Sequence, residues 1–507
     1  MARLTTERES AGIVLIVFFS FGLLYHLISP GVFFITATVG VGAAVLGLLP
    51  VLLTKSGSTA SKIALLALLG VVVLPLGYGA FQLDWDLLSP ISLVLLVALA
   101  FVFFFYSVFL PLALLHVHRR ELDPELEPPY PSVSVIVPAY NEEECIGASI
   151  KALQRTSYPR NKKEIIVVDD GSTDATYQKA KRQADETVRI LQKSNGGKYT
   201  ALNHGLDSAS GEIIVTVDAD SLLDTDTLER VAGIFQQERA VGAIAGNLTV
   251  ANRDSFITKL QELEYIIGIQ LFRRAYDAVE TVVVVPGAFG AYRREILDRV
   301  GGFDGDTLTE DRDATVKILK AGKVTRASEA LCHTEAPETW TDLYKQRLRW
   351  YRGTVQTLLK HRDVFRTPGY GYLYSLAFPM EAFTAIVVPV VGIAVIISII
   401  AELVVGSVVR VASLFVFFTL LQTLVSVLAL RIGDNDSKLA VYAPLFVLGY
   451  RQFLDAVMLK SLKDVVTRQD LGWTSPDRTG RLSSALEDEK EQTVDHSASV
   501  ETDDWTD

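Results

Sequence analysis

The chain has 507 residues, well beyond the roughly 100–200 of one ordinary domain, so more than one structural unit is expected. It is 49% hydrophobic and 21% charged, which excludes a mainly disordered or fibrous chain and leaves more apolar material than a soluble core needs. The formal charge is −11, but nine acidic residues and one Lys in 483–507 account for −8 of it, so the acidity is that of a tail, and a dedicated nucleic-acid binder is disfavoured. Two cysteines, Cys145 and Cys332, are too few for a disulfide framework or a multi-cysteine metal cluster and read as small core residues.

Apolar runs at 11–29, 31–53, 62–82 and 90–116 each approach the ~20 residues that cross a bilayer as a helix. The first is not read as a cleaved signal, because three comparable runs follow it. Arg3 and Arg8 precede the first run, Lys55 and Lys62 flank a turn, and Arg119 and Arg120 follow the fourth, whereas the turn at Asp84-Trp85-Asp86 carries no cation. This distribution places the N-terminus and the block after residue 118 on the cytoplasmic side of the cell membrane. Two further runs, 376–402 and 408–430, are read as crossings. A weaker one at 439–459, interrupted by Arg451 and Asp455 and followed by Lys460 and Lys463, is expected to lie in the interface or re-enter.

The central block alternates strand and helix patterns. Pro131–Tyr140, Glu164–Asp170 and Glu212–Asp220 are Val/Ile-rich strands, separated by helical patterns such as Glu143–Arg155 and Thr200–Ser208. Near-continuous apolar strands between helices predict a parallel sheet covered on both faces, with ligands at the carboxyl ends of its strands. Those ends carry Tyr140-Asn141-Glu142, Asp169-Asp170-Gly171 and Asp218-Ala219-Asp220. Neither the Gly-rich dinucleotide fingerprint nor the P-loop pattern is present, and no solenoid repeat is found.

Several residue groups have types that carry chemistry. Asp218 and Asp220 offer two hard oxygen ligands for a divalent cation that also takes phosphate oxygens, although such a pair is more often a solvated turn. Asp169 and Asp170 could accept hydrogen bonds from a ribose or base, or form an Asx-turn or helix cap. Asn195-Gly196-Gly197-Lys198 offers open amides and a cation to a pyrophosphate, or an ordinary glycine turn. A carboxylate of Thr309-Glu310-Asp311 could remove a proton from an incoming hydroxyl; taken alone, this stretch reads more readily as a helix N-cap. In Gln346-Arg347-Leu348-Arg349-Trp350 a helix puts Gln346, Arg349 and Trp350 on one face, where a guanidinium neutralises a departing diphosphate and an indole stacks on a sugar. An interfacial helix with snorkelling arginines is the alternative there.

The ordered series VPAYNEE, VVDDGSTD, NGGKYTALN, VDAD, TED and QRLRW resembles the processive family-2 glycosyltransferases, the cellulose, chitin, hyaluronan and poly-N-acetylglucosamine synthases. The likeness spans about 131–355 and continues through Ala245-Gly246-Asn247, Val285-Pro286-Gly287-Ala288 and Trp473-Thr474-Ser475-Pro476-Asp477-Arg478. The last two stretches and the TED form look closest to the poly-N-acetylglucosamine synthases. The resemblance implies an α/β fold, a GT-A (Rossmann-like nucleotide-sugar) cytoplasmic domain at 131–355 embedded between transmembrane helices at 1–118 and 376–460. An interfacial region at 356–375, a gating-loop-like segment at 461–482 and an acidic disordered tail at 483–507 complete the expected organisation.

Carried across by position, Tyr140, Glu142 and an aspartate of Asp169-Asp170 hold the uridine, and Lys198 and Asp218 lie by the diphosphate. Asp220, with Asp218, binds Mg2+ or Mn2+. Asp311, beside Glu310, is the general base. Gln346, Arg349 and Trp350 hold the diphosphate and the terminal sugar, and Trp473 and Arg478 belong to the gating loop. The implied activity is hexosyl transfer with inversion from a UDP-sugar to a growing polysaccharide, with the bilayer as a partner, room for a small membrane subunit, and no nucleic acid. His26 and Glu381 are candidate linings of an exit path. Loading of one sugar on a lipid phosphate carrier, and a non-catalytic membrane scaffold, are the competing readings.

Overall fold

The structure is a computed structural model that describes residues 124–404 and 408–469, with a few positions between 108 and 116. The four expected N-terminal spans, apart from those few positions of the fourth, lie outside the described residues together with His26, Trp473, Arg478 and the acidic tail.

Eight strands form one sheet in the order β3-β2-β1-β4-β7-β6-β8-β5. They are β1 Val133–Ala139, β2 Lys163–Asp169, β3 Val188–Gln192, β4 Ile213–Val217, β5 Ser221–Leu223, β6 Val241–Val250, β7 Phe289–Arg293 and β8 Val324–Thr334. Side chains alternate across a strand, so Val133, Val135 and Val137 of β1 face one layer and Ile136 the other. The first layer contains helices α1 (Ile146–Arg155) and α4 (Thr227–Gln237), which bring Ile146, Ile150, Leu153, Val231 and Ile234 onto the sheet. A short helix, α2, spans Thr176–Lys181. The opposite layer holds α3 (Lys198–Ser208), α7 (Arg294–Arg299) and α8 (Glu310–Lys320), through Ala201, Leu202, Leu206, Ile296, Leu297 and Ile318.

The expected parallel sheet is parallel only in part. β1, β2, β3 and β4 are mutually parallel, and β6 pairs parallel with β8. β7 runs antiparallel to both β4 and β6, and β5 antiparallel to β8. Helix α5 (Phe256–Glu264) continues through a π-helical stretch, Tyr265–Leu271, into α6 (Phe272–Asp277), which returns the chain to the start of β8, where Thr281 bridges Thr325. Residues 282–288 then carry it to the strand-end side, so β7 starts opposite Val217 and runs against its neighbours. Gly246 makes this junction compact: a Cβ there would fall 1.7 Å from the Phe289 ring of β7.

Helix α9 (Trp340–Lys360) begins at Thr339, whose Oγ1 accepts the Asp342 N–H at 3.1 Å. Short 3-10 turns at Arg362–Arg366 and Pro368–Tyr370 follow. The expected crossing at 376–402 is α10 (Phe378–Val404); with the turn before it, Leu373–Val404 is, among the described residues, the helix long and apolar enough to cross a membrane. The next expected crossing is α11 (Val408–Ile432), which contains the shorter apolar helix Phe418–Ile432. The stretch 439–459 is not a single helix: it kinks at Leu448 and Gly449, the latter at φ 118°, and then becomes α12 (Arg451–Val466), which packs on α9 and α10.

Gly246→Ala is expected to cost about 1–3 kcal/mol by overpacking against Phe289. Urea unfolding of the detergent-solubilised protein measures it, and an unchanged midpoint would show that β7 yields.

Candidate active site

The aspartates that end β2 hold loops. Asp170 is 3% exposed and its carboxylate accepts from Lys193 Nζ at 2.5 Å, the Gly196 N–H at 3.2 Å and the Gly197 N–H at 2.8 Å. The glycine turn is thereby fixed directly ahead of Lys198, the first residue of α3. Asp169 accepts from Gln192 Nε2 at 2.9 Å and the Ser172 N–H at 3.3 Å. The neighbouring turn after β1 is clipped to the same region, because the Asn141 N–H donates to Ser172 Oγ at 2.9 Å and the Glu142 N–H to Thr176 Oγ1 at 2.8 Å. Tyr140 stands 45% exposed at this edge.

Beside that edge a cavity of about 400 Å³ opens, lined by Lys198, Asp218, Asp220, Glu310, Asp311, Gln346, Arg349 and Trp350 among others. Residues from α3, the turn after β4, the start of α8 and the middle of α9 therefore converge on one space, while Tyr140, Glu142, Asp169 and Asp170 stand on the adjoining strand ends. Lys198 Nζ lies 2.5 Å from Asp218 Oδ1 and 3.4 Å from Glu310 Oε1. Burial opposes the charge of Lys198, but Asp218, Glu310 and Asp311 outweigh it and raise the ammonium above its ordinary range. Burial pushes the Glu310 carboxyl up; Lys198 pulls it down and Asp311 pushes it up, and the net direction is upward.

Thr309 does stand at the N-cap of α8, but its hydroxyl makes no cap hydrogen bond. The turn instead aims the two following carboxylates at the cavity. Asp311 Oδ2 accepts the Gly287 N–H at 2.8 Å and Oδ1 the Arg312 N–H at 2.7 Å, which fixes the orientation of the carboxylate. The wall continues to Glu381, Thr384 and Met458 of the C-terminal helices, and Arg312 forms an ion pair with Glu381.

Helix α9 does put Gln346, Arg349 and Trp350 on the cavity. Arg347, between them, does not snorkel. It is 0% exposed, bonds Glu264 through Nη2 at 2.7 Å and Nε at 3.2 Å, and lies 4.4 Å from the Trp350 ring centroid. Sequence reasoning missed both Arg347 and Glu264, because the acid lies 83 residues away and carries no motif.

Asp218 and Asp220 fit a divalent cation: two carboxylates two residues apart, both on the cavity wall, supply the hard oxygen donors such an ion takes. A second acidic group, Asp304, Asp306 and Asp313, has ligand atoms within 4.8 Å of one another but is neutralised by lysine. Lys360 Nζ sits 2.8, 2.7 and 2.9 Å from the three carboxylates and Lys317 Nζ 2.9 Å from Asp304.

Residues 134–301 match the Glycosyl transferase family 2 profile. The chain carries a family-2 glycosyltransferase domain. Over 239 residues it is 33% identical to the poly-beta-1,6-N-acetyl-D-glucosamine synthase of Staphylococcus aureus, covering 46% of this chain and 57% of the relative. The protein of the same description from Staphylococcus epidermidis is 32% identical over 240 residues, with the same coverage. The match thus spans little more than half the length of these relatives. In fold, the chain is similar to a mannosyltransferase from Pyrobaculum calidifontis solved with GDP-Man and Mn2+, at TM-score 0.53 and 24% identity, covering 74% of this chain and all of that one. The glycosyltransferase domain is thus of mixed α/β, GT-A-like architecture.

Because the folded domain keeps the Glu310 proton at pH values where the unfolded chain has lost it, this residue makes stability fall as pH rises from the ordinary carboxylate range through the raised value. Glu310→Gln is expected to flatten that part of the stability curve in urea unfolding at stepped pH; an unaltered slope would assign the proton to another group.

Proposed function

We propose that this protein is a membrane-embedded, inverting synthase that transfers a sugar, N-acetylglucosamine by the likeness to its relatives, from a UDP-sugar to a growing polysaccharide. The observation that carries the reading is the meeting of Asp218, Asp220, Asp311, Gln346, Arg349 and Trp350 on one cavity whose wall runs on to Glu381 of an apolar helix. A site with paired carboxylates, a buried lysine and an indole suits a sugar diphosphate and a second sugar together.

In this reading Tyr140, Glu142 and the ends of β1 and β2 take the nucleoside. Lys198 faces the diphosphate from the start of α3. Asp218 and Asp220 would hold Mg2+ or Mn2+, which would supply positive charge to the diphosphate. Asp311 takes the proton from the acceptor hydroxyl; the freed oxygen pair forms the new bond to the anomeric carbon while the bond from that carbon to the diphosphate oxygen breaks and UDP leaves. Arg349 and the amide of Gln346 receive the leaving diphosphate, and Trp350 supports the terminal sugar of the acceptor. One displacement on the face opposite the leaving group inverts the anomeric centre. The apolar helices hold the domain at the cytoplasmic face of the cell membrane and give the product a way out.

Purified protein with labelled UDP-sugars and Mn2+ is expected to yield polymer, read by mass of the product, with one UDP-sugar strongly preferred. One sugar per lipid would instead support the carrier-loading reading, and no product with any UDP-sugar would support a scaffold. Asp311→Asn is expected to lower polymer synthesis by about 10²-fold or more; a variant as active as the parent would remove Asp311 from the role of base. Chelation with EDTA is expected to stop incorporation and added Mn2+ or Mg2+ to restore it, and incorporation persisting in EDTA would separate transfer from metal.

A further inference from the structure

Arg347 is the largest of the fully buried side chains in the described part of the molecule, and it lies in the wall behind the two residues assigned above to the acceptor sugar and the diphosphate. A buried guanidinium is costly unless its donors are met, and here they are met in a fixed arrangement. Nε and Nη2 bond the two carboxylate oxygens of Glu264 at 3.2 and 2.7 Å, and Nη1 donates to Gln346 Oε1. Glu264 is held in turn by the Tyr450 hydroxyl, which donates to Oε2. Three separate segments meet on this pair: the end of α5, the middle of α9 and the residue ahead of α12.

Two consequences reach the cavity. Guanidinium nitrogens only donate, so the Gln346 atom facing Arg347 must be its oxygen, and the amide N–H2 is what Gln346 has left to offer a ligand. The guanidinium also lies 4.4 Å from the centroid of Trp350 and 5.8 Å from that of Tyr265, so cation–π attraction holds the indole against its backing. An aliphatic residue would fill the same volume without fixing either side chain.

We propose that Arg347, locked by Glu264 and Tyr450, is a positioning residue that presets Trp350 to receive the terminal acceptor sugar and fixes the amide orientation of Gln346. The proposal rests on the synthase reading given above. Its larger action falls on the acceptor side, through the cation–π contact with Trp350; on the diphosphate it acts only through the Gln346 amide, one contact beside Lys198, Asp218 and Asp220 at the donor end.

The test uses the full-length protein in detergent with the preferred UDP-sugar, Mn2+ and short N-acetylglucosamine oligosaccharides as acceptors. Arg347→Lys keeps the charge and loses the two-pronged contact, so the acceptor KM is expected to rise about tenfold while the UDP-sugar KM moves less than about threefold. Glu264→Gln is expected to act in the same direction, and the double variant to cost less than the product of the two single effects. Trp350 emission, obtained by difference from a Trp350→Phe protein, is expected to shift in both variants without substrate. Equal changes in both KM values, or unchanged KM values with unchanged emission, would overturn the proposal. If both variants fail to fold, Tyr450→Phe removes one hydrogen bond from Glu264 and is expected to give a smaller rise in acceptor KM alone; no rise there would also overturn it. If the parent makes no product with any UDP-sugar, the synthase reading falls, whereas the emission of Arg347→Lys still reports whether Arg347 holds Trp350.

Discussion

Like charges must be held together for this cavity to exist, and Lys198 is what allows it. Asp218, Glu310 and Asp311 arrive from two distant parts of the chain, and their mutual repulsion at low dielectric would open the space between β4 and α8. The ammonium of Lys198 sits against two of them, and its own place is set by Asp170, which ties down the glycine turn just before α3. The aspartate at the end of β2 therefore acts on the cavity without entering it. An added cation or diphosphate would alter this balance of charge, which is the electrostatic sense in which the site is prepared for a charged ligand.

Much of the sheet was legible because its signals are local. The near-continuous apolar character of Val133–Ala139, Lys163–Asp169 and Ile213–Val217 is a property of the strands themselves, and carboxylates at their ends follow from the chain order. The one-sided placement of Gln346, Arg349 and Trp350 was legible for the same reason, since helical spacing alone decides it. The direction of β7 was not legible. It depends on the run from Thr281, beside the start of β8, to Phe289, opposite the end of β4, and no residue of Phe289–Arg293 encodes that. Nor was the partner of Arg347: a buried ion pair between elements 83 residues apart leaves no periodic trace, and the arginine resembled its more exposed neighbours.

Acidic groups in this protein fall into two kinds that composition cannot separate. Asp304, Asp306 and Asp313 are matched by Lys317 and Lys360, and His361 Nε2 lies 2.8 Å from Asp313, so that cluster joins α8 to the end of α9 as a structural clasp. Asp218 and Asp220 face a cavity that also gathers Arg349, Gln346 and an indole. Carboxylate density is similar in the two places. What distinguishes them is that Lys360 bridges all three carboxylates of the clasp, whereas Lys198 meets Asp218 and Glu310 across an open cavity.

Arg312 follows Asp311 directly in α8 and is paired with Glu381, one turn into the long apolar helix. A sliding or tilting of that helix pulls on the residue next to the carboxylate proposed as base, so the reacting end of the cavity is mechanically tethered to whatever solvates α10. In the membrane-embedded reading proposed above, acyl-chain length around the protein, by setting how that helix must lean, becomes a physical variable of the glycosyl-transfer geometry as well as of anchoring.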